Sequence, residues 1–338
     1  MGGITETHTD ETFSLEKARV LIADRFGPGR VPKKFQVRSD TSDFFRVDYN
    51  DVVLLGNRPY WIKRYEKEGR FGLDDEPKYW VRRAIDLTDG STKVIKLVFH
   101  EEYKATVGSV VIRCFRSPRK EARILDLVAD HGNFMHGRWV LDEAGNNVRI
   151  LEFIYGPRYD DVIVGFGTDH EDYFHNYFCE VLDHYIEMVN AIKFLHDHGE
   201  KHGDVRRDHI LWDRERKICR WIDFDYNYEH RESMFGYDLQ GLGSILMFLA
   251  GRGDVVVDEL YHNQPDVFKT LWGEDLSIVF KNRVANLKKI YPYIPDSLNR
   301  ILLHFSVGAN IFYETTDQML HDLDIARADI QALAGRGS

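Results

Sequence analysis

The sequence predicts an α+β chain, strand-rich first and mainly helical afterwards. Between residues 51 and 99, short runs rich in Val, Ile, Tyr and Trp ("DVVLLG", "YWIKRYEK", "KYWVRRAIDL", "TKVIKLVF") are broken by turn residues, the pattern of a small antiparallel sheet. Beyond Gly156, apolar residues recur at helical spacing over long stretches. At 338 residues the chain is long enough for two domains or lobes. These observations divide it into an N-terminal extension with a short helix (1–50), a strand-rich lobe (51–152) and a helical lobe (153–338).

Residues 1–12 are polar and read as a loose tail. Ser14 is a candidate N-cap for a helix whose apolar face carries Leu15, Ala18, Leu21 and Ile22 and which stops at "GPG". That helix is expected to cover the sheet. "TDGS" (Thr88 to Ser91) is the turn between the third and fourth strands. "VGSVVIRCF" reads as an inserted strand. "SPRKEARILDLVADHG" is helical, starting at Ser117 and Pro118 and stopping at Gly132; its leading basic run "RSPRKEAR" reads as a solvated helix start. "GRWVLDEAGNNVRILEFIYG" is a hairpin turning at "EAGNN". "YFCEVLDHYIEMVNAIKFLHDHG" places Phe178, Val181, Leu182, Tyr185, Val189, Ile192 and Leu195 on one face. "YDLQGLGSILMFLAG" is apolar nearly all round and belongs at the centre of its lobe. Trp61, Trp80 and Trp139 read as core or lobe-face residues.

Composition removes several function classes. With 45 Lys plus Arg against 55 Asp plus Glu, the net charge of −10 would repel nucleic acid, so no nucleic-acid partner is expected. Cys114, Cys179 and Cys219 fit neither a disulfide framework nor a cysteine-based zinc site, and point to a reducing, cytoplasmic setting. No stretch approaches the roughly 18 consecutive apolar residues of a membrane span. In "LHDHGEKH", His198 and His202 stand four apart, but Gly199 ends the helix between them, so no helical zinc pair is expected.

The chemistry concentrates in "KHGDVRRDHILWDRERKICRWIDFDY", residues 201–226. Asp204 and Asp223 lie on either side of a short hairpin, which would bring both carboxylates to one place. Phosphoryl transfer needs one carboxylate near the acceptor hydroxyl and another on a divalent ion; two Asp residues alone are equally compatible with ordinary loop acids.

The order of motifs resembles the protein kinase-like superfamily over roughly residues 60–325, in a bilobal fold with a small antiparallel-sheet lobe and a mainly helical lobe. Against H-R-D-x-x-x-x-N and D-F-G, this chain has His202, Gly203 and Asp204, then His209, then Asp223, Phe224 and Asp225. The resemblance implies that Asp204 is the catalytic base, Asp223 a metal ligand and Arg206 a phosphate contact. It further implies that Lys96 in "TKVIKLVF" holds the nucleotide phosphates and pairs with Glu121. Leu151 would be the gatekeeper, with Glu152, Phe153, Ile154 and Leu211 around adenine, and Asp238 would steady the catalytic loop. Gly69 and Gly72 in "EKEGRFG" stand at two of three glycine positions of the phosphate loop, with Lys67 in the first; a lone G-x-x-G is also what an ordinary hairpin turn shows.

Departures from the pattern are informative. Only 14 residues separate Asp223 from Asp238, no A-P-E follows, and Phe312 replaces the Arg that would pair with its Glu. Gly203 replaces the Arg that receives an activation-loop phosphate, so control by loop phosphorylation is not expected. H-G-D with a short segment is similar to aminoglycoside and choline kinases, and His at position 209 to WaaP-type lipopolysaccharide core kinases. Three readings of His209 stay open: a metal ligand favouring Mn²⁺ over Mg²⁺, an orienter of Asp204, or a space-filler in a pseudokinase. The expected function is ATP- and Mg²⁺- or Mn²⁺-dependent transfer of the γ-phosphate to a hydroxyl, on a Ser/Thr protein or a small molecule, with a non-catalytic pseudokinase as the alternative.

Overall fold

The computed structural model describes residues 13–68, 76–229 and 233–334. Within them the chain is mixed α+β. Its strands are β1 (Val37–Arg38), β2 (Val52–Leu55), β3 (Arg58–Glu68), β4 (Glu76–Asp86), β5 (Thr92–Lys96), β6 (Glu102–Val107), β7 (Val110–Arg116), β8 (Gly137–Leu141), β9 (Asn147–Glu152), β10 (Ile210–Asp213), β11 (Ile218–Trp221) and β12 (Tyr226–Tyr228). The ten α-helices among the described residues are α1 (Leu15–Phe26), α2 (Pro118–Leu127), α3 (Tyr159–Val164), α4 (His170–Asn176), α5 (Phe178–Asp197), α6 (Gly236–Ala250), α7 (Val257–Asn263), α8 (Pro265–Phe268), α9 (Asp296–Leu303) and α10 (Thr316–Ala334).

The described residues form two compact units: those up to Phe99 with Gly137–Phe153, and His100–His136 with those from Ile154 onward. In the first, seven strands run in the order β1-β2-β3-β4-β5-β9-β8. The expectation of a purely antiparallel sheet is corrected at one edge, where β1 pairs with β2 in parallel. A two-residue strand is too short to show any period in sequence. Strand alternation sends Val53, Ile62, Ala84, Ile95 and Ile150 into one core cluster. On the other face, α1 lays Ala18 and Ile22 against Val52, Trp61 and Leu87, and Ser14 caps it by accepting from the Lys17 N–H. Of the three tryptophans, Trp61 is core and Trp80 stacks on Phe99, while Trp139 is 39% exposed and not core.

In the second unit, α5 buries all seven residues of its expected face and α6 is buried along most of its length. The Trp221 indole N–H donates to the Met188 carbonyl, tying the β10–β11 hairpin to α5. The stretch around "VGSVVIRCF" is one arm of the antiparallel β6–β7 hairpin, onto which β12 adds as a third strand with Tyr226 opposite Arg116. This pairing and α2 draw residues 100–136, which sequence grouped with the strand-rich half, into the helical unit. α2 closes at Val128, before the expected stop at Gly132.

Candidate functional site

The chemistry-bearing side chains of the second unit gather where four pieces meet: the end of β7, the first turn of α2, the loop 201–209 and the segment 223–226. The β10–β11 register pairs Ile210 with Trp221, and the Ile222 N–H donates to the His209 carbonyl, which brings His209 beside Asp223; Asp204 lies on the other side of the His209 ring. His209 Nδ1 donates to the Asp204 carbonyl at 3.0 Å and lies 3.5 Å from its Oδ2, while Nε2 is 3.6 Å from Asp223 Oδ2. A carbonyl oxygen only accepts, so Nδ1 carries a proton and Nε2 is the atom turned to the Asp223 carboxylate. Asp223 adopts φ +63°, a left-handed conformation that Asp tolerates better than most L-residues.

Asp204 is 3% exposed. Burial pushes its carboxyl above the usual range, with His209 and Arg206 pulling the other way. Arg206 grips Asp208 through both carboxylate oxygens and reaches within 3.9 Å of Asp204 Oδ2. Asp238, fully buried, accepts from the His202 N–H at 2.8 Å, the Gly203 N–H at 2.9 Å and His196 Nε2 at 3.2 Å, and so steadies the loop that carries Asp204.

Glu121, Asp223 and Asp225 each offer a carboxylate oxygen, all within 4.8 Å of one another and all buried. Hard carboxylate donors of this kind suit Mg²⁺ or Mn²⁺. The trio already has a cation beside it. Arg116 Nη1 donates to both oxygens of Asp225 (2.8 and 2.9 Å) and lies 4.0 Å from Asp223, and the Arg116 Nε donates to Glu101 at 2.9 Å. Burial works against the guanidinium charge, but Asp225 and Asp223 hold its pKa above the ordinary arginine value.

The basic run "RSPRKEAR" is a solvated helix start only in part: Arg119 and Arg123 are exposed, but Arg116, Lys120 and Glu121 are buried. The carbonyls that Lys120 meets lie 82 to 106 residues away along the chain and Asp225 lies 109 from Arg116, separations that local charge patterning does not reveal. The Lys120 ammonium donates to the carbonyls of His202 (2.7 Å), Phe224 (3.1 Å) and Tyr226, and burial pulls its pKa down to about 8. Sequence missed Asp225, Arg116 and Lys120. The one signal available was a third acid two residues after Asp223.

Lys96 belongs to the first unit, 3% exposed, opposite Val81 and Arg149. Alternation puts it on the same sheet face as Leu151, which pairs with Val94, and away from the Ile95 core. Glu152 ends β9, the Arg83 guanidinium sits 4.0 Å over the Phe153 ring, and Ile154 and Leu211 belong to the second unit. Gly69 and Gly72 lie outside the described residues. No protein-family model and no curated protein matches the chain.

Proposed function

We propose that this chain is an ATP- and divalent-metal-dependent phosphotransferase of the protein kinase-like type, bilobal in architecture, that moves the γ-phosphate to a hydroxyl. The observation that carries the reading is His209, held to the Asp204 backbone by one nitrogen and facing the Asp223 carboxylate with the other, with Glu121 and Asp225 beside them. Asp204 is the base: its raised affinity for a proton suits it to take one from an acceptor hydroxyl. Asp223 and His209, with the neighbouring acids, are the groups that would hold Mg²⁺ or Mn²⁺, which when bound neutralises charge on the phosphates. Arg206, positioned by Asp208, offers its guanidinium to the transferred group. Lys96 and Leu151, on one face of the first unit's sheet, are assigned to the nucleotide with Glu152, Phe153, Ile154 and Leu211.

A Ser/Thr protein acceptor is the leading assignment, on the resemblance of the last helices. The 14-residue interval between Asp223 and Asp238 favours a sugar or other small molecule as the second. The three free cysteines suit a cytoplasmic setting, and no described helix is long and apolar enough to cross a membrane. A pseudokinase is the competing reading, supported by Arg116 already standing as a cation against Asp225 and Asp223. Thermal melts with ATP, with and without Mg²⁺ or Mn²⁺, on wild type and Asp223→Ala, followed by phosphate transfer to panels of proteins and sugars, separate these. A metal-dependent shift that the variant lacks, followed by transfer, supports the enzyme. A shift without transfer to any acceptor supports the pseudokinase, and no shift at all defeats the nucleotide assignment.

A further inference from the structure

Lys120 stands on the first turn of α2 at 2% exposure, yet its three N–H donors are all spent on backbone carbonyls: His202 from the loop that carries Asp204, and Phe224 and Tyr226 from the segment that carries Asp223. An ammonium has three donors and no acceptor, so three carbonyls converging on it satisfy it completely. The two segments are joined to each other through one side chain. Arg116, four residues earlier, grips Asp225 of the same segment, and its guanidinium lies 4.1 Å over the Tyr226 ring.

Gly203 is shaped to this arrangement. It sits at φ +86°, and a Cβ there would come within 1.9 Å of the Tyr226 carbonyl oxygen and 3.0 Å of Lys120 Nζ. Any side chain at 203 would push apart the two groups that the ammonium joins. Lys120 on α2 and the bare position 203 are thus complementary halves of one contact.

We infer that Lys120 is a positioning residue that holds the Asp204 loop and the Asp223 segment in register, a latch closed by the chain itself, so that the site is ordered without a phosphate or a partner. This rests on the phosphotransferase reading for its functional consequence, though the latch can be read without turnover. A fortuitous buried lysine would stabilise the unit as a whole; a latch couples two named segments.

The test is amide hydrogen exchange on the nucleotide-free full chain, wild type against Lys120→Met and Gly203→Ala, with α5 as internal reference. In wild type, peptides over 201–206 and 223–228 should be protected to the level of α5. In the variants both should speed up together, by roughly tenfold or more, while α5 is unchanged. In turnover, kcat should fall by roughly tenfold or more with the KM for ATP kept within about twofold, the sign of lost positioning and not lost binding. Wild-type kcat should survive phosphatase treatment. Free exchange of either segment in wild type, unaltered or uncoupled exchange in a folded variant, or loss of wild-type kcat on phosphatase treatment overturns the latch. If neither variant folds, the wild-type exchange and phosphatase measurements decide. Absent turnover in wild type overturns the phosphotransferase reading alone, and the exchange data still judge Lys120.

Discussion

The carboxylate of Asp238 receives the backbone N–H of Gly203 at 2.9 Å and, through its other oxygen, that of His202 at 2.8 Å. One buried side chain on α6 thereby fixes two consecutive amides in the loop before Asp204. Asp238→Ala leaves both without that acceptor, at a cost of about 1–3 kcal/mol each. We expect a drop of about 3 kcal/mol in unfolding free energy, measured by urea titration. A loss under about 1 kcal/mol would mean that the loop finds other partners.

His202 gives the stability a pH dependence of definite sign. It is fully buried, and burial holds its pKa down to about 3 from an ordinary 6.5. Below 6.5 the unfolded chain takes up a proton that the folded chain refuses, so stability from this group is complete above 6.5 and declines as pH falls. The slope is about 1.4 kcal/mol per pH unit, or about 2 kcal/mol between neutrality and pH 5. His170, lowered by burial to about 4, acts in the same direction. Urea midpoints at pH 7, 6 and 5 should fall, and less steeply in His202→Gln; equal slopes in both proteins would remove His202 from the account.

Arg116 and the acids around it make metal removal informative. Arg116→Met leaves Asp225 buried beside Glu121 and Asp223 without its closest cation, a change of about 3–5 kcal/mol for a broken buried pair. The variant should melt well below wild type in chelator and recover with Mg²⁺ or Mn²⁺, because a divalent ion can supply the missing charge. Wild type should respond less. If the divalent ions fail to rescue a folded variant, the acid trio is not a metal site.

What sequence disclosed and what it hid divide along physical lines. The cap at Ser14, the hairpins β4–β5 and β8–β9 and the apolar face of α5 are local patterns of period 2 or 3.6, and they stand where they were expected. Asp204, His209 and Asp223 were visible because a short hairpin joins them. Lys120 was not, because its partners are backbone carbonyls 82 to 106 residues away, and a carbonyl has no letter in the sequence. Arg116 and Asp225 form a buried pair 109 residues apart, and a basic run beside a helix start reads as solvated unless that partner is known.

Asp204 tests the reaction itself. Asp204→Asn keeps the size of the side chain and removes the proton acceptor, so turnover should fall by roughly 100-fold or more, the usual contribution of a positioned base. The ATP-dependent thermal shift should be retained, since the base is not assigned to the nucleotide. Equal turnover in the two proteins would take Asp204 out of the chemistry.

His209 decides between the readings that the sequence left open. Its Nδ1 is committed to the Asp204 carbonyl, and its Nε2 is the nitrogen near Asp223. If that nitrogen helps hold the ion, imidazole in place of oxygen tilts the site toward Mn²⁺, because Mg²⁺ prefers oxygen ligands. His209→Asn supplies an amide oxygen instead and should raise the Mg²⁺-to-Mn²⁺ ratio of activities, by roughly tenfold if one ligand's worth of preference, about 1.4 kcal/mol, is transferred. His209→Ala removes both contacts and should lower turnover with either ion. A ratio that stays constant across all three proteins, with turnover reduced in both variants, leaves His209 as the orienter of Asp204. Turnover equal to wild type in both variants would mean that the ring only fills space.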